Sequence, residues 1–566
     1  MLRVRLISIA MVLLAIVLVG RLYQLQIIRG DDYARKAEGQ YMEAVTDDAP
    51  RGEIFFKKKD GERVAAALMQ KGWRVAMDPR ALEDADAALA KLSGIVTVDE
   101  ARFRASAAKK EDPYEDIVFK LDDEQARAVR AADIPGIFTV RDEWRFYPGN
   151  TLAAHTIGFV SYRGSRKEGA YGLERYWEHV LRHEGSGLYV NPFAEIFSSL
   201  GALTGDPSEQ EGSVVTALEP IAQRELENTI ERVMKEYRPR SAGGIVMDPK
   251  TGEVFALAIA PAFDPNTFNL VEDISTFSNP LVERRYEMGS ILKPLTVAAG
   301  IDAGAITPQT TYEDRGCITK TGFKLCNYDF KARGVVPMQE VLSQSLNTGV
   351  SFVVDRMGNA AFAEYMKKFG LGEETGIDLP GEIAGSIEPL FVQGAADVDF
   401  ASASFGQSIA ITPIAMIRAL AALANDGVLP EPRVVTSIRT EAGIERKVTV
   451  PEGTRVLKPE TAETVTNMLI KVYDEALLEG VLKQEHHSIA AKTGTAQIAI
   501  PGGGGYYTDR WLHSFFGYFP AHEPRFIILL YAIEPHGEQY ASRTLARPFS
   551  DLAKFLINYY EIPPDR

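Results

Sequence analysis

Within RRYEMGSILKPLT, residues 284–296, Ser290 and Lys293 stand three positions apart at the start of an apolar helical run. On a helix the two share one face, so the lysine amine can approach the serine hydroxyl. A serine becomes a nucleophile when a neighbouring base takes its proton. A lysine can do so only when neutral. Its ordinary pKa is about 10.4, so it needs burial and a second cation nearby to lose its proton. A Ser-x-x-Lys pair alone means little, because on the order of one is expected by chance in a chain this long. Two further stretches change the odds. SQSLNTGVSF supplies Ser345 and Asn347, and AAKTGTAQ supplies Lys492, Thr493, Gly494 and Thr495, in that order along the chain. Acyl transfer needs a deprotonated hydroxyl, donors for an oxyanion, and a cationic or hydroxyl-rich grip on a substrate carboxylate. Ser345 can relay a proton, Asn347 can donate to a substrate amide, and Lys492 is the second cation that would depress Lys293. KTGT reads as an edge strand on which Gly494 admits a ligand backbone. Strand alternation sets Lys492 and Gly494 on the face opposite Thr493 and Thr495.

These residues need a large scaffold, and the chain can build one. It has 566 residues, 46% hydrophobic and 25% charged, a composition for two or three packed domains. A formal net charge of −15 argues against nucleic acid as a partner, since polyanions need a basic surface. Arg3 and Arg5 precede the apolar stretch from Leu6 to Gly20, about 22 Å long as a helix. With Leu2, Val4, Leu22 and snorkelling arginines it would span a core of roughly 30 Å, with everything after about residue 25 outside the cytoplasm. No cleavage site follows, so the reading is an uncleaved anchor.

Residues 1–24 are thus expected to be a cytoplasmic tip and anchor, residues 25–237 a stalk and mixed non-catalytic domain, and residues 238–566 the catalytic domain. In the last, two strands, a long helical insert, three strands and a closing helix predict an α+β domain with one antiparallel sheet. CITKTGFKLC folds as a hairpin about Thr321-Gly322, which places Cys317 opposite Cys326, within reach of a disulfide in an oxidising compartment. Its removal is expected to disturb local order more than catalysis. The glycines 502–505 read as a hairpin loop rather than a phosphate cradle. His486 and His487 read as exposed turn residues; no metal site and no cofactor are expected.

The order Ser-x-x-Lys, Ser-x-Asn, Lys-Thr-Gly is the set of penicillin-binding proteins and serine β-lactamases, and the chain resembles a class B penicillin-binding protein over nearly its whole length. RGEIFFKKKDG is similar to the opening of that family's pedestal (dimerisation-type) domain, with lysines in place of the usual Asp-Arg. WRFYPGNTLAAHTIGFV and GAYGLERYWEHVLRHEGSG look like its later pedestal segments, and GGIVMDPKTGEVFALAIAPAFDPN like the entry to its transpeptidase domain. The resemblance implies a membrane-anchored peptidoglycan D,D-transpeptidase, nearer the division-type branch. Ser290 would be the acylated nucleophile and Lys293 its base, with Ser345 and Asn347 as the second motif. Lys492, Thr493 and Thr495 would bind the D-alanine carboxylate, and the amides of Ser290 and Thr495 would form the oxyanion hole. Implied partners are peptidoglycan stem peptides, β-lactams as inhibitors, the membrane, a polytopic membrane glycan polymerase, and divisome or elongasome proteins. Met288 departs from the usual proline, and Leu292 stands where phenylalanine usually precedes the lysine. A β-lactam sensor or serine β-lactamase shares the trio but lacks so long a region before it. A catalytically silent scaffold of the division machinery is the other alternative, against which the intact Ser290, Lys293, Asn347 and Lys492 argue.

Overall fold

The computed structural model describes residues 51–163, 166–183, 211–440 and 443–566. The anchor expected at 1–24 and the stalk after it lie outside these, and among the described residues no helix is long and apolar enough to cross a membrane.

Ile54–Lys57 and Arg63–Met77 form the hairpin expected around Asp60-Gly61, with Gly61 at φ +86°, where a side chain is disfavoured. Arg63–Met77 also pairs antiparallel with Glu115–Leu121 and Ile137–Phe146. On its other side Ile54–Lys57 pairs in parallel with Gly212–Thr216. The sheet does not stop there. Val435–Thr440 and Glu445–Lys447, from far along the second half of the chain, extend it to seven strands. Strands from both sides of residue 237 therefore share this sheet.

Behind these strands lies a buried ionic hub. Arg51 Nε donates to Glu174 Oε2 at 2.7 Å, Arg51 Nη2 to Glu178 Oε2 at 2.6 Å, and Arg145 Nε to Glu174 Oε1 at 2.6 Å. Tyr147 adds its hydroxyl at 3.3 Å. Burial alone would raise the Glu174 carboxyl, but the Arg145 and Arg51 guanidiniums hold it below the usual range. Three segments distant in sequence, RGE, WRFY and GLERY, are locked together through one fully buried carboxylate.

Helix Pro220–Tyr237 leads into the catalytic sheet. Glu219 caps it by accepting from Ala222 N, and Pro220 opens it. The sheet runs Ala490–Ala499, Tyr506–Phe519, Phe526–Ile533, Ser241–Met247, Val254–Ala260, antiparallel throughout. The glycine run 502–505 is the loop between the first two of these strands. Period-two alternation sends Phe515, Phe519, Ile528 and Leu530 against helices Pro220–Tyr237 and Ala546–Tyr559. It sends Phe516, Tyr518, Leu529 and Tyr531 against the helical insert. Ala490–Ala499, the strand carrying Lys492, is the sheet's edge, as the sequence led us to expect.

Glu174→Ala should leave Arg145 buried without its carboxylate and Arg51 with Glu178 alone. We expect a loss of about 3–5 kcal/mol in unfolding free energy, read as a lowered urea midpoint of the full-length protein.

Candidate active site

Ser290 lies in a 3₁₀ turn, Gly289–Leu292, that runs directly into helix Lys293–Asp302, which carries Pro294 in its first turn. In 3₁₀ geometry residues i and i+3 eclipse, and the Lys293 N–H donates to the Ser290 carbonyl. Serine and lysine are thus set one above the other more directly than an α-helical turn would place them. The turn is tied down on three sides. Gly289 N donates to the Gly406 carbonyl, Ser514 Oγ donates to the Met288 carbonyl at 2.7 Å, and Glu287 accepts from Ser408 N and from the Tyr506 hydroxyl. Burial raises the Glu287 carboxyl above its usual range.

Lys293 is completely buried. Its Nζ lies 2.5 Å from the Ser345 carbonyl, 3.2 Å from Ser345 Oγ and 2.7 Å from Asn347 Oδ1. Lys492, 2% exposed, reaches the same hydroxyl from the sheet side: Nζ to Ser345 Oγ is 3.0 Å. Two lysines therefore converge on one serine. Burial, and next the neighbouring Lys492, push Lys293 well below its ordinary value. Burial pulls Lys492 down to about 7. Ser345 itself sits at φ +55°, left-handed for a residue with a side chain. Such backbone strain persists where surroundings over-determine it, as they do at functional sites.

Thr493 and Thr495 are half-buried while Lys492 and Gly494 are buried, the alternation expected of the strand. Thr495 Oγ1 accepts from Ala541 N at 3.0 Å. Its cross-strand partner His513 is buried against Thr544 Oγ1 and the Gln539 carbonyl, and burial pulls it down to about 4, which keeps it neutral. Gly494 also meets a packing demand that its sequence does not show. A Cβ there would stand 2.3 Å from Ser514 Oγ and 2.7 Å from the Met288 carbonyl. The missing side chain makes room for the turn that carries Ser290.

Cys317 and Cys326 pair directly across the hairpin Cys317–Lys320 and Phe323–Cys326 and are joined as a disulfide. The hairpin reaches the site: Asn347 Nδ2 donates to the Cys326 carbonyl at 2.8 Å. Asn347 thus bridges the hairpin to Lys293. Beyond it, Tyr328 meets Tyr540 edge to face, ring centroids 5.7 Å apart, so the loop after the hairpin touches the segment that caps Thr495. His486 is exposed, whereas His487 is half-buried against the Ile562 carbonyl. Glu287, Ser514, His513 and the Cys326 carbonyl were not singled out by sequence. Only the strand register brings Ser514 opposite Gly494, and nothing local marks the others.

The chain matches the penicillin binding protein transpeptidase domain over residues 242–554 and the penicillin-binding protein dimerisation domain over residues 46–191. The chain belongs to the penicillin-binding protein transpeptidase family. It is 26% identical over 555 residues to stage V sporulation protein D of Bacillus subtilis, covering 95% of this chain and 82% of that protein. It is 28% identical over 515 residues to the probable peptidoglycan D,D-transpeptidase FtsI of Caulobacter vibrioides, covering 90% and 78%. Among solved structures, penicillin-binding protein 3 of Mycobacterium tuberculosis in complex with aztreonam superposes with a TM-score of 0.68 at 25% identity, over 92% of this chain and 98% of that one.

In this penicillin-binding protein the fit of Gly494 against the Met288 turn should be sensitive to a single carbon. Gly494→Ala is expected to separate strand from turn and slow acylation by a fluorescent penicillin about 10- to 100-fold, the scale of a misplacement near 1 Å. Labelling time courses of wild type and variant check it.

Proposed function

We propose that this penicillin-binding protein is a peptidoglycan D,D-transpeptidase that works through an acyl-enzyme on Ser290. The observation that carries the reading is the convergence of two buried lysines on Ser345, beside a serine eclipsed with one of them. Two ammonium groups cannot both stay charged in so dry a place. Lys293, buried without a carboxylate partner among the described residues and next to another cation, is the one that gives up its proton. As a neutral amine it has two N–H groups, matched by the Ser345 carbonyl and Asn347 Oδ1, and a lone pair left to take a hydroxyl proton.

The terminal D-alanine carboxylate of a stem peptide docks on Lys492 with Thr493 and Thr495, and its negative charge favours the protonated form of Lys492. Lys293 takes the Ser290 proton as Oγ attacks the penultimate D-alanine carbonyl. The oxyanion is received by the Ser290 and Thr495 amides. The proton passes by way of Ser345 Oγ to the departing D-alanine nitrogen, leaving Ser290 esterified. An acceptor amine then attacks the ester, its proton travels back along the same groups, and Ser290 is freed with the cross-link made. A β-lactam opens by the same attack and leaves a lasting ester, because its leaving nitrogen stays tethered.

Relatives matched along nearly the whole chain bear the names of D,D-transpeptidases, which supports a synthase over a β-lactamase, a sensor or a silent scaffold, and supports a division-type role. The domain reading goes with it. Residues 1–24 anchor a single-pass protein in the plasma membrane with its N-terminus in the cytoplasm, residues 25–237 form the stalk and pedestal, and residues 238–566 catalyse outside the cytoplasm. A polytopic glycan polymerase of the divisome or elongasome would supply the nascent strands.

Intact-mass analysis of the full-length protein after penicillin should show one adduct, absent in Ser290→Ala; an adduct on that variant would overturn the assignment. Acylation should rise with pH through an apparent pKa well below 10.4. Lys492→Gln removes a neighbouring positive charge, so the acid limb should move to higher pH while carboxylate substrates bind more weakly. Lys293→Arg should nearly abolish acylation, because a guanidinium does not deprotonate. Rates from pH 5 to 10 for the three proteins decide it.

A further inference from the structure

Helix Asn347–Met357 begins in an unusual way. Its N-cap is Leu346, which has no side-chain oxygen and makes no cap hydrogen bond, although the first amides of a helix need acceptors. The acceptor comes from elsewhere. Asn327 Oδ1 takes the Thr348 N–H at 3.2 Å and lies 3.2 Å from Thr348 Oγ1, so a residue twenty positions upstream does the work of an N-cap. Asn327 is held in turn. Its Nδ2 donates to both carboxylate oxygens of Asp314, at 2.9 and 3.1 Å, its own N–H donates to the Gly316 carbonyl, and Thr348 Oγ1 donates to Asp314 Oδ1 at 2.8 Å. All three side chains are 98% buried or more.

The residue just before Asn327 is Cys326, whose carbonyl accepts from Asn347 Nδ2. The Cys326-Asn327 dipeptide therefore holds the start of this helix at two adjacent residues, the Thr348 amide through the Asn327 side chain and the Asn347 side-chain amide through the Cys326 carbonyl. The grip settles which way the amide faces: Oδ1 toward Lys293 Nζ, one N–H on Cys326, and the second N–H as the donor that the site offers to a substrate amide. We infer that Asn327, braced by Asp314, is a positioning residue of the reaction, capping the second-motif helix from outside it so that Asn347 presents its amide to Lys293 and substrate in one orientation. This rests on the reading of Asn347 as a substrate-binding residue of the Ser290 acylation.

The test is a double-mutant cycle on the full-length protein, with acylation by a fluorescent penicillin as readout and intact mass confirming the adduct on Ser290. Asn327→Ala should slow acylation about 10- to 100-fold in the wild-type background. In an Asn347→Ala background, where no amide is left to orient, the same change should alter the rate less than about twofold, while the melting temperature falls by the same amount in both. Asp314→Asn, nearly isosteric, should repeat the pattern if Asn327→Ala does not fold, because its amide sets a donor against the donors of Asn327 and Thr348. Thr348→Ser, which keeps the hydroxyl, should stay near wild type. An equal loss in both backgrounds, or wild-type rates for Asn327→Ala and Asp314→Asn, would overturn the inference while leaving Ser290 in place. Failure of the wild-type protein to acylate on Ser290 would overturn both.

Discussion

Two buried lysine amines sharing one serine hydroxyl is the constraint on which the rest of the active site depends. Charge is expensive to bury, and two like charges more so. Burial therefore favours a neutral amine in the pair, and in the proposed reaction that amine is the base. Competence for the proposed reaction is in this sense a by-product of desolvation: the sheet edge brings Lys492, the 3₁₀ turn brings Lys293, burial lowers both, and the nearby Lys492 lowers Lys293 further. Both elements are fastened by backbone contacts to buried neighbours rather than by ion pairs, and a carboxylate beside either lysine would restore its proton. Glu287 shows the restraint. It sits three residues before Ser290, yet it is directed to Ser408 and Tyr506.

The rest of the fold isolates that pair and keeps it rigid. The five-stranded sheet puts one hydrophobic layer against the terminal helices and another against the catalytic insert, so the edge strand is backed by a packed core on each face. The seven-stranded sheet takes two strands from beyond the catalytic insert. It couples the pedestal to the catalytic half through main-chain hydrogen bonds rather than through a flexible joint. The Arg51, Arg145 and Glu174 hub lies beside this sheet. Buried ion pairs of this kind add little net stability over a well-packed apolar core, but they penalise any arrangement that leaves one partner alone.

Several features of the chain were determined by the sequence alone because they depend only on near neighbours. Alternation along KTGT, the register of the Cys317–Cys326 hairpin, the turn at Asp60-Gly61 and the helical character of the insert follow from side-chain period and turn chemistry. The catalytic trio was legible for a related reason: its spacing within each motif, one or two intervening residues, is set by a single turn or strand. Its members come together in the structure because the first two motifs open helices, while Lys492, Thr493 and Gly494 lie on the sheet's edge strand beside them.

What only the tertiary structure decided are pairings between residues far apart in sequence. The fit of Gly494 against Met288 and Ser514 is one of them. Val435–Thr440 lies within the transpeptidase match at 242–554 yet pairs with Gly212–Thr216 from before it. The cap of the second-motif helix sits in another segment, and no motif marks Asn327 or Asp314. The physical reason is common to all of these. A buried polar group or an absent Cβ is satisfied by whatever atom the fold brings within about 3 Å, and that atom is chosen by the packing of whole layers, which no local periodicity records.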